Sequence, residues 1–268
     1  MRQQSHLPKL LASVGLTAML AFGLSGCGTV SDVTGSIPTS SAANPDSSPH
    51  SVVEAYGKRY RANPKDPAAA IAYGEALRAN GQRAQAVAVL EQASIANPGN
   101  KQVLAAWGRA LDDNGDFQEA FDVLSRANTP TNPDWRILSA QGTALDQLGH
   151  HEKARGYYKS ALKIVPGEPS VLSNLGLSYM LSKDLPDAEQ ALRKAYASPK
   201  AGPRVRQNLG LVLGLEGHFD EAKKIVQADL PPDEAAANVA YLKEMLEGQG
   251  NSHGPRKTAL KAALNRAE

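Results

Sequence analysis

Two residue types recur along this 268-residue chain at a fixed interval of 34 positions. The glycines of the series are Gly74, Gly108, Gly142, Gly176 and Gly210, and the alanines are Ala86, Ala120, Ala154, Ala188 and Ala222. Only 23 residues of the whole chain are glycine, so five at one spacing do not arise by chance. Self-similarity at a period of this length is typical of stacked repeats, and the chain is predicted to contain five copies of one structural unit.

Apolar residues keep the same period. We number each repeat from its first residue, which is Pro67, Lys101, Trp135, Pro169 or Pro203. Large apolar residues then fill position 11, as Leu77, Leu111, Leu145, Tyr179 and Leu213, and position 24, as Leu90, Leu124, Tyr158, Leu192 and Val226. Alanine fills position 27 in four repeats, and Asp229 is the departure in the fifth. Small residues at positions 8 and 20 let two antiparallel helices approach closely while the larger residues pack around them.

This pattern resembles the tetratricopeptide repeat, a pair of antiparallel helices. The resemblance implies an all-α fold, a superhelical solenoid of five repeats over residues 67–234, in which the first helix of each repeat lines a concave surface. Glycine at position 15 in four repeats predicts a left-handed turn that ends the first helix. Lys183 takes this position in the fourth repeat, so we expect that turn to be built differently.

Helices at both ends are expected to cover the apolar faces of the terminal repeats. Residues 51–66 are predicted to form an N-terminal capping segment, with a helix from Ser51 to Ala62, and residues 235–247 a C-terminal capping helix. Residues 248–268 are predicted to be a loop, up to Gly254, followed by a basic tail. This tail either touches anionic lipid or cell-wall polymer, or is a solvated helix end.

The first 26 residues predict an export signal. Arg2 and Lys9 precede an uncharged apolar stretch that ends at Leu24 and is short for a membrane span. The run 24–27 (LSGC) resembles the lipobox of bacterial lipoproteins, and Cys27 is the only cysteine. The resemblance implies cleavage before Cys27, acylation of its thiol by groups such as palmitate, and a lasting membrane anchor. Glycine at position 28 resembles the signal for outer-membrane delivery, which implies a lipoprotein that faces the periplasm.

The segment after the signal, residues 27–50, is predicted to be a disordered tether. From position 28 onward it holds six serines, three threonines and three prolines and no aromatic residue, so it cannot bury enough apolar surface to fold. Without the first 26 residues the chain has equal numbers of basic and acidic residues. Such a neutral chain is not expected to bind nucleic acid.

Catalytic patterns are missing from the sequence. It has neither a Gly-rich phosphate loop after a strand nor a Gly-x-Ser-x-Gly nucleophile elbow, so we predict that the protein is not an enzyme and uses no cofactor. A histidine metal site would require histidines from different repeats to converge, and no metal site is predicted. The histidines are His6, His50, His150, His151, His218 and His253.

The concave surface is the remaining candidate site. The resemblance assigns it to positions 2, 5, 6, 9, 12 and 13 of the first helices, which change from charged in the early repeats to apolar in repeats four and five. Asn174 and Asn208 share position 6, where their amides either pair with the backbone of a bound peptide or bond neighbouring side chains or water. The predicted partner-binding residues are Arg109, Arg136, Ser139, Thr143, Asn174, Leu177, Met180, Gln207, Asn208 and Leu211.

Several runs go beyond the generic repeat. They are 133–139 (PDWRILS), 169–176 (PSVLSNLG), 205–209 (VRQNL) and 229–242 (DLPPDEAAANVAYL). Together with the lipobox they resemble the TadD lipoproteins of the Flp pilus, or tight adherence, system over about residues 62–247. The resemblance implies a pilotin-like outer-membrane lipoprotein whose partner is a secretin or another pilus-assembly component, and a role in adherence. The alternative is a periplasmic scaffold that regulates cell-wall hydrolases or synthases. The oligomeric state stays open.

Overall fold

The computed structural model describes the backbone of residues 49–264, apart from 130 and 132, and the side chains of residues 50–248 with the same gaps. The predicted signal, the predicted acylation site Cys27 and all but the last two residues of the predicted tether lie outside the described residues. Everything described belongs to one compact unit, residues 42–268. Its helices are α1 Pro49–Ala62, α2 Pro67–Ala79, α3 Arg83–Ala96, α4 Lys101–Asn114, α5 Phe117–Ala127, α6 Trp135–Gln147, α7 His151–Ile164, α8 Pro169–Leu181, α9 Leu185–Tyr196, α10 Pro203–Leu215, α11 Phe219–Val226 and α12 Pro232–Leu264.

The predicted all-α solenoid of five repeats is confirmed: α2 to α11 form five successive helix pairs. Polar side chains set where most of the first helices begin, because they accept hydrogen bonds from backbone N–H groups that the helix itself leaves unpaired. Asp66, Asn100 and Asp134, at intervals of 34 residues, accept from Ala68 N, Gln102 N and Arg136 N at 3.0, 3.0 and 2.7 Å. Glu168 does the same for α8, whereas α10 starts at Gly202 without a side-chain cap.

The glycines at position 8 are where the two helices of a repeat come closest. A Cβ atom added to any of them would lie 2.5 or 2.6 Å from the side chain at position 24 of the same repeat, which is Leu90, Leu124, Tyr158, Leu192 or Val226. Such distances are impossible for real carbon atoms, so only glycine allows this packing. Alanine at position 20 is fully buried in every repeat.

The expectation that the turn at Lys183 is built differently is wrong. Lys183 adopts a φ of 63°, in the same left-handed region as the glycines at position 15 of the other repeats. Asp184 N donates to Tyr179 O at 3.0 Å, which matches the bond from His150 N to Leu145 O at 2.8 Å. The lysine is exposed, so its side chain meets no obstacle and the strain of the backbone, about 1 kcal/mol, is the only cost.

The two helices of each repeat take different places in the stack. The first helices α2, α4, α6, α8 and α10 contact one another in succession, and α10 also contacts α12. In the described part of the chain the backbones of the second helices lie further apart, and side chains bridge them, as Arg193 of α9 and Glu221 of α11 do at 2.8 Å. Because the first helices lie closer together, they form the concave side and the second helices form the outer side.

Helices cover both ends of the stack. α1 packs against α2 through the buried Val53 and through Tyr60, whose ring stacks on that of Tyr73 with the centroids 5.5 Å apart. α12 contacts α10 and α11, and its Ala235 is fully buried. None of the described helices is both long and apolar enough to cross a membrane.

The prediction that the C-terminal helix ends at residue 247 is wrong. α12 continues to Leu264, so the segment 248–254, predicted as a loop, is helical. Its glycines lower helix propensity by about 1 kcal/mol each without forbidding the conformation, and a glycine therefore does not by itself end a helix.

Candidate partner-binding groove

The predicted groove residues lie on the first helices α4, α6, α8 and α10, and thus on the concave side of the stack. Arg136, Gln207 and Leu211 are exposed. Most of the others are half-buried: Arg109, Thr143, Asn174, Leu177, Met180 and Asn208. Ser139 is the exception, because only 8% of its surface is exposed.

Charged residues on the first two repeats pair with one another across the repeat boundary. Arg78 Nε donates to Asp113 Oδ2 at 2.6 Å, and Arg109 Nη2 lies 3.7 Å from Glu75 Oε1. Both pairs join α2 to α4, and Arg78 and Arg109 keep only 15% and 25% of their side-chain surface exposed. The charges at this end of the groove therefore satisfy one another in the absence of a partner.

Two charged groups in the same region keep atoms without a partner. Arg109 Nε and Asp112 Oδ1 are buried and form no hydrogen bond with any described residue. Burial, and then the positive charge of Arg78, lower the pKa of Arg109. Burial raises the pKa of Asp112 to about 7, and the neighbouring Asp113 adds to the increase while Arg78 opposes it.

The raised pKa of Asp112 predicts how stability depends on pH. Between about pH 4 and pH 7 the folded state holds a proton on Asp112 that the unfolded state releases, so the free energy of unfolding falls as the pH rises through this range. In Asp112→Asn this contribution is lost and the fall becomes smaller. Urea unfolding at pH 4, 5, 6 and 7 measures the difference. Asp122→Asn, at an exposed carboxylate of the same repeat, should keep the wild-type slope, and parallel curves for wild type and Asp112→Asn would contradict the prediction.

The two asparagines at position 6 bond neighbouring side chains. Asn174 Nδ2 donates to Ser139 Oγ at 3.2 Å, and Asn208 Nδ2 donates to Ser173 Oγ at 2.9 Å. Each bond runs from position 6 of one repeat to position 5 of the preceding repeat. Ser139 was predicted to touch the partner, but it is buried because the neighbouring α8 covers it. Its role in this structure is to hold the Asn174 amide.

Apolar side chains face the concave side in repeats four and five. Leu181 and Leu211 are 48% and 38% exposed, which is high for leucine, and Leu177 and Met180 are half-buried beside them on α8. Leu177 and Leu211 share position 9 of successive repeats. The end of the groove formed by α8 and α10 therefore presents an open apolar surface.

A protein-family model described as a tetratricopeptide repeat matches residues 71–133 and 139–203, which lie within the helix pairs described above. These segments, and the helix pairs that contain them, therefore have the tetratricopeptide-repeat fold. Proteins of this fold generally act as binding scaffolds for other proteins and use their extended concave surface for it. No curated protein is significantly similar to the chain in sequence.

Solved structures agree with this tetratricopeptide fold. A thermophilic tetratricopeptide protein of Thermus thermophilus superposes with a TM-score of 0.58 and 22% identity, over 66% of this chain and 98% of that protein. The Cut9–Hcn1 hetero-tetramer of the APC/C gives a TM-score of 0.59 and 17% identity, over 71% of this chain and 38% of the matched chain. At these identities the likeness concerns the fold alone.

The tetratricopeptide stack also contains a buried polar cluster that sequence analysis missed. Asp146, at position 12, shares the position of Asp112 but is only 7% exposed. Its carboxylate accepts from Tyr158 Oη at 2.9 Å and from Ser178 Oγ at 2.7 Å. His151 Nδ1 lies 3.0 Å from the same carboxylate, which can only accept, so this nitrogen carries the proton. The one sequence feature that could have indicated this cluster is Tyr158, a tyrosine at position 24, where three of the other repeats have leucine.

Burial and the charge of Asp146 raise the pKa of Tyr158, so the phenol stays protonated and donates. Ser178 and His151 both form hydrogen bonds with Asp146. Ser178 Oγ bonds the backbone oxygen of His151 and not its imidazole ring. The cluster therefore lacks the serine-to-imidazole contact that a hydrolytic triad needs. It joins repeat three to repeat four.

Two clefts lie on the outer side of the stack, away from the groove. One, of about 490 Å³, is bordered by α5, α6 and α7 and includes Phe121, Leu148, His150 and Gly156. The other, of about 250 Å³, occupies the equivalent place one repeat further on and includes Lys159, Tyr179 and Lys194. These clefts separate neighbouring second helices and contain none of the predicted groove residues.

Proposed function

We propose that this protein is an outer-membrane lipoprotein that binds a secretin, or another component of pilus assembly, in its concave groove. In this proposal it acts like a pilotin in building the Flp pilus and so supports adherence. The open apolar surface on α8 and α10 carries the proposal for a protein partner, because exposed leucines grouped on one concave face mark an interaction site. The resemblance of the sequence to TadD lipoproteins supports the identity of the partner.

The charge distribution favours repeats four and five as the place of contact. A partner at repeats one and two would have to replace the ion pairs that Arg78 forms with Asp113 and Arg109 with Glu75. A partner at repeats four and five would bury Leu181 and Leu211 without breaking any ion pair. The bound segment is therefore apolar where it contacts α8 and α10.

The lipobox supports the membrane part of the proposal. Acylation at Cys27 would anchor the chain, and if the 23 residues after it form the tether that their composition predicts, its r.m.s. reach would be roughly 25 Å. The repeats would then work close to the membrane surface, where a secretin assembles.

The test is a pulldown of the lipidated protein, crosslinked in native membranes and analysed by mass spectrometry. We expect a secretin or another pilus-assembly component, with crosslinks to α8 and α10. Leu211→Asp places a charge in the apolar surface and should reduce the recovered partner by at least about tenfold, because a buried unpaired charge is costly. Ile164→Asp is the matched control: Ile164 is 41% exposed, close to the 38% of Leu211, but lies on the second helix α7.

Two outcomes would contradict the proposal. Recovery of cell-wall hydrolases or synthases without any pilus component would favour the scaffold alternative. Equal recovery with Leu211→Asp and with Ile164→Asp would show that the partner binds elsewhere on the molecule. Circular dichroism of both variants separates lost binding from lost folding.

A further inference from the structure

The same three repeat positions come together at the junctions between consecutive repeats, with different side chains at each junction. They are position 21 on the second helix of one repeat and positions 14 and 16 in the turn of the next repeat. At the junction of repeats three and four, Arg155 Nη1 donates to Ser182 Oγ at 2.8 Å, which joins positions 21 and 14. At the junction of repeats two and three, Phe121, Leu148 and His150 occupy the three positions and border the same cleft.

The junction of repeats four and five has a different chemistry. Glu189 on α9, Glu216 at the end of α10 and His218 before α11 occupy the same three positions. Each offers one carboxylate oxygen or imidazole nitrogen, and these atoms all lie within 4.8 Å of one another. Two carboxylates and one imidazole at such a separation form a set of metal ligands.

The negative charge of this group is not balanced by the neighbouring cation. Arg193 Nε donates to Glu189 Oε1 at 2.7 Å, and Arg193 Nη2 lies 2.8 Å from Glu221 Oε1. Three carboxylates and one guanidinium leave a net charge of −2 when all are ionised. Arg193 is not seen to pair with Glu216.

One oxygen of Glu216 has no partner. Its Oε2 atom is buried and accepts no hydrogen bond from any described residue, although an enclosed carboxylate oxygen normally finds a donor. The His218 side chain forms no capping bond to α11, so its ring can turn toward the carboxylates without a loss to the helix.

We propose that Glu189, Glu216 and His218 bind a zinc ion, with water completing the coordination. Zinc accepts oxygen and nitrogen ligands together and prefers four-coordinate geometry, whereas calcium and magnesium prefer oxygen ligands alone. The ion balances the net charge of the group and bonds the unpartnered oxygen of Glu216. It also links the second helix of repeat four to the turn of repeat five. The prediction of no metal site considered histidine pairs only and left out carboxylates from the neighbouring repeat.

Isothermal titration of the full chain with Zn²⁺ tests this proposal. Cys27→Ser is introduced throughout, so that no thiol competes for the metal. We expect one zinc ion per chain. Glu216→Gln, which keeps the side-chain shape, and His218→Ala, at an exposed residue, should each weaken binding by at least about tenfold, because each removes a ligand. Thermal unfolding should show a zinc-dependent rise in Tm that both variants lose.

His150→Ala is the matched control. His150 has the same position in repeat three as His218 in repeat five, but its neighbours are Phe121 and Leu148, so this substitution should leave zinc binding unchanged. Absence of zinc binding, or binding that survives both ligand substitutions, would overturn the proposal. Equally tight binding of Ca²⁺ or Mg²⁺ that His218→Ala does not weaken would overturn the assignment to zinc. None of these outcomes depends on the proposed partner of the groove.

Discussion

Gly142→Ala is expected to lower the free energy of unfolding by about 2 to 3 kcal/mol. The added methyl carbon would lie 2.5, 2.7 and 2.9 Å from three ring carbons of Tyr158. The ring cannot move aside, because it is 1% exposed and its hydroxyl is bonded to Asp146. The two helices of repeat three must therefore separate. Urea unfolding followed by circular dichroism measures the loss.

Gly156→Ala in the same repeat is the control for this result. A Cβ at position 156 meets no atom within 4 Å, and the residue lies in the interior of α7. Alanine is the better helix former there, so this variant should be more stable than wild type by about 0.5 to 1 kcal/mol. If Gly142→Ala raised stability as Gly156→Ala is expected to do, helix propensity rather than close packing would decide the effect.

Asp146→Ala is expected to cost about 3 kcal/mol. The substitution removes the acceptor of the shortest bond of each of the buried hydroxyls of Tyr158 and Ser178, which keep only the longer bonds to Thr143 Oγ1 at 3.5 Å and His151 O at 3.3 Å. It also removes the partner of the His151 ring. The contacts link α6 and α7 to α8, so the loss should appear as weaker coupling between repeats three and four. Urea unfolding at pH 8 measures it.

Asp112→Ala makes the same substitution at the same position one repeat earlier. Asp112 Oδ1 is buried without a hydrogen bond and its pKa is raised to about 7, so the ionised carboxylate at pH 8 contributes no comparable stabilisation. We expect a loss of no more than about 0.5 kcal/mol, or a gain. An equal loss for both aspartates would mean that position 12 as such matters, and not the partners of Asp146.

The helix-pair architecture follows from the sequence because the contacts that define it lie within one repeat. Gly142 and Tyr158 are 16 residues apart, and the same spacing separates positions 8 and 24 in every repeat. A periodic pattern identifies such contacts directly, and it also places the first helices on one face. It predicted the turn at Lys183 less well, because a left-handed residue other than glycine is tolerated where its side chain is exposed.

The pattern also identified the groove face, with its charged and apolar ends, but not which of its residues remain exposed. Ser139 and Asp146 have positions that the repeat assigns to the concave surface, yet the next repeat covers both. Asp229 departs from alanine at position 27 because Arg206 donates to both of its carboxylate oxygens. The residues that cover Ser139 and Asp146 lie in the next repeat, and the Arg206–Asp229 pair, although both residues belong to repeat five, occurs at these positions in no other repeat.

What the sequence by itself determined is the fold, the repeat boundaries and the surface on which a partner is expected. Only the tertiary structure decided the bonds between repeats: the Asn208 to Ser173 bond, the Asp146 cluster and the meeting of Glu189, Glu216 and His218. The physical reason is that packing periodicity is shared by all repeats, whereas each junction has its own polar residues. Which of these meet depends on how two neighbouring helix pairs are placed in space.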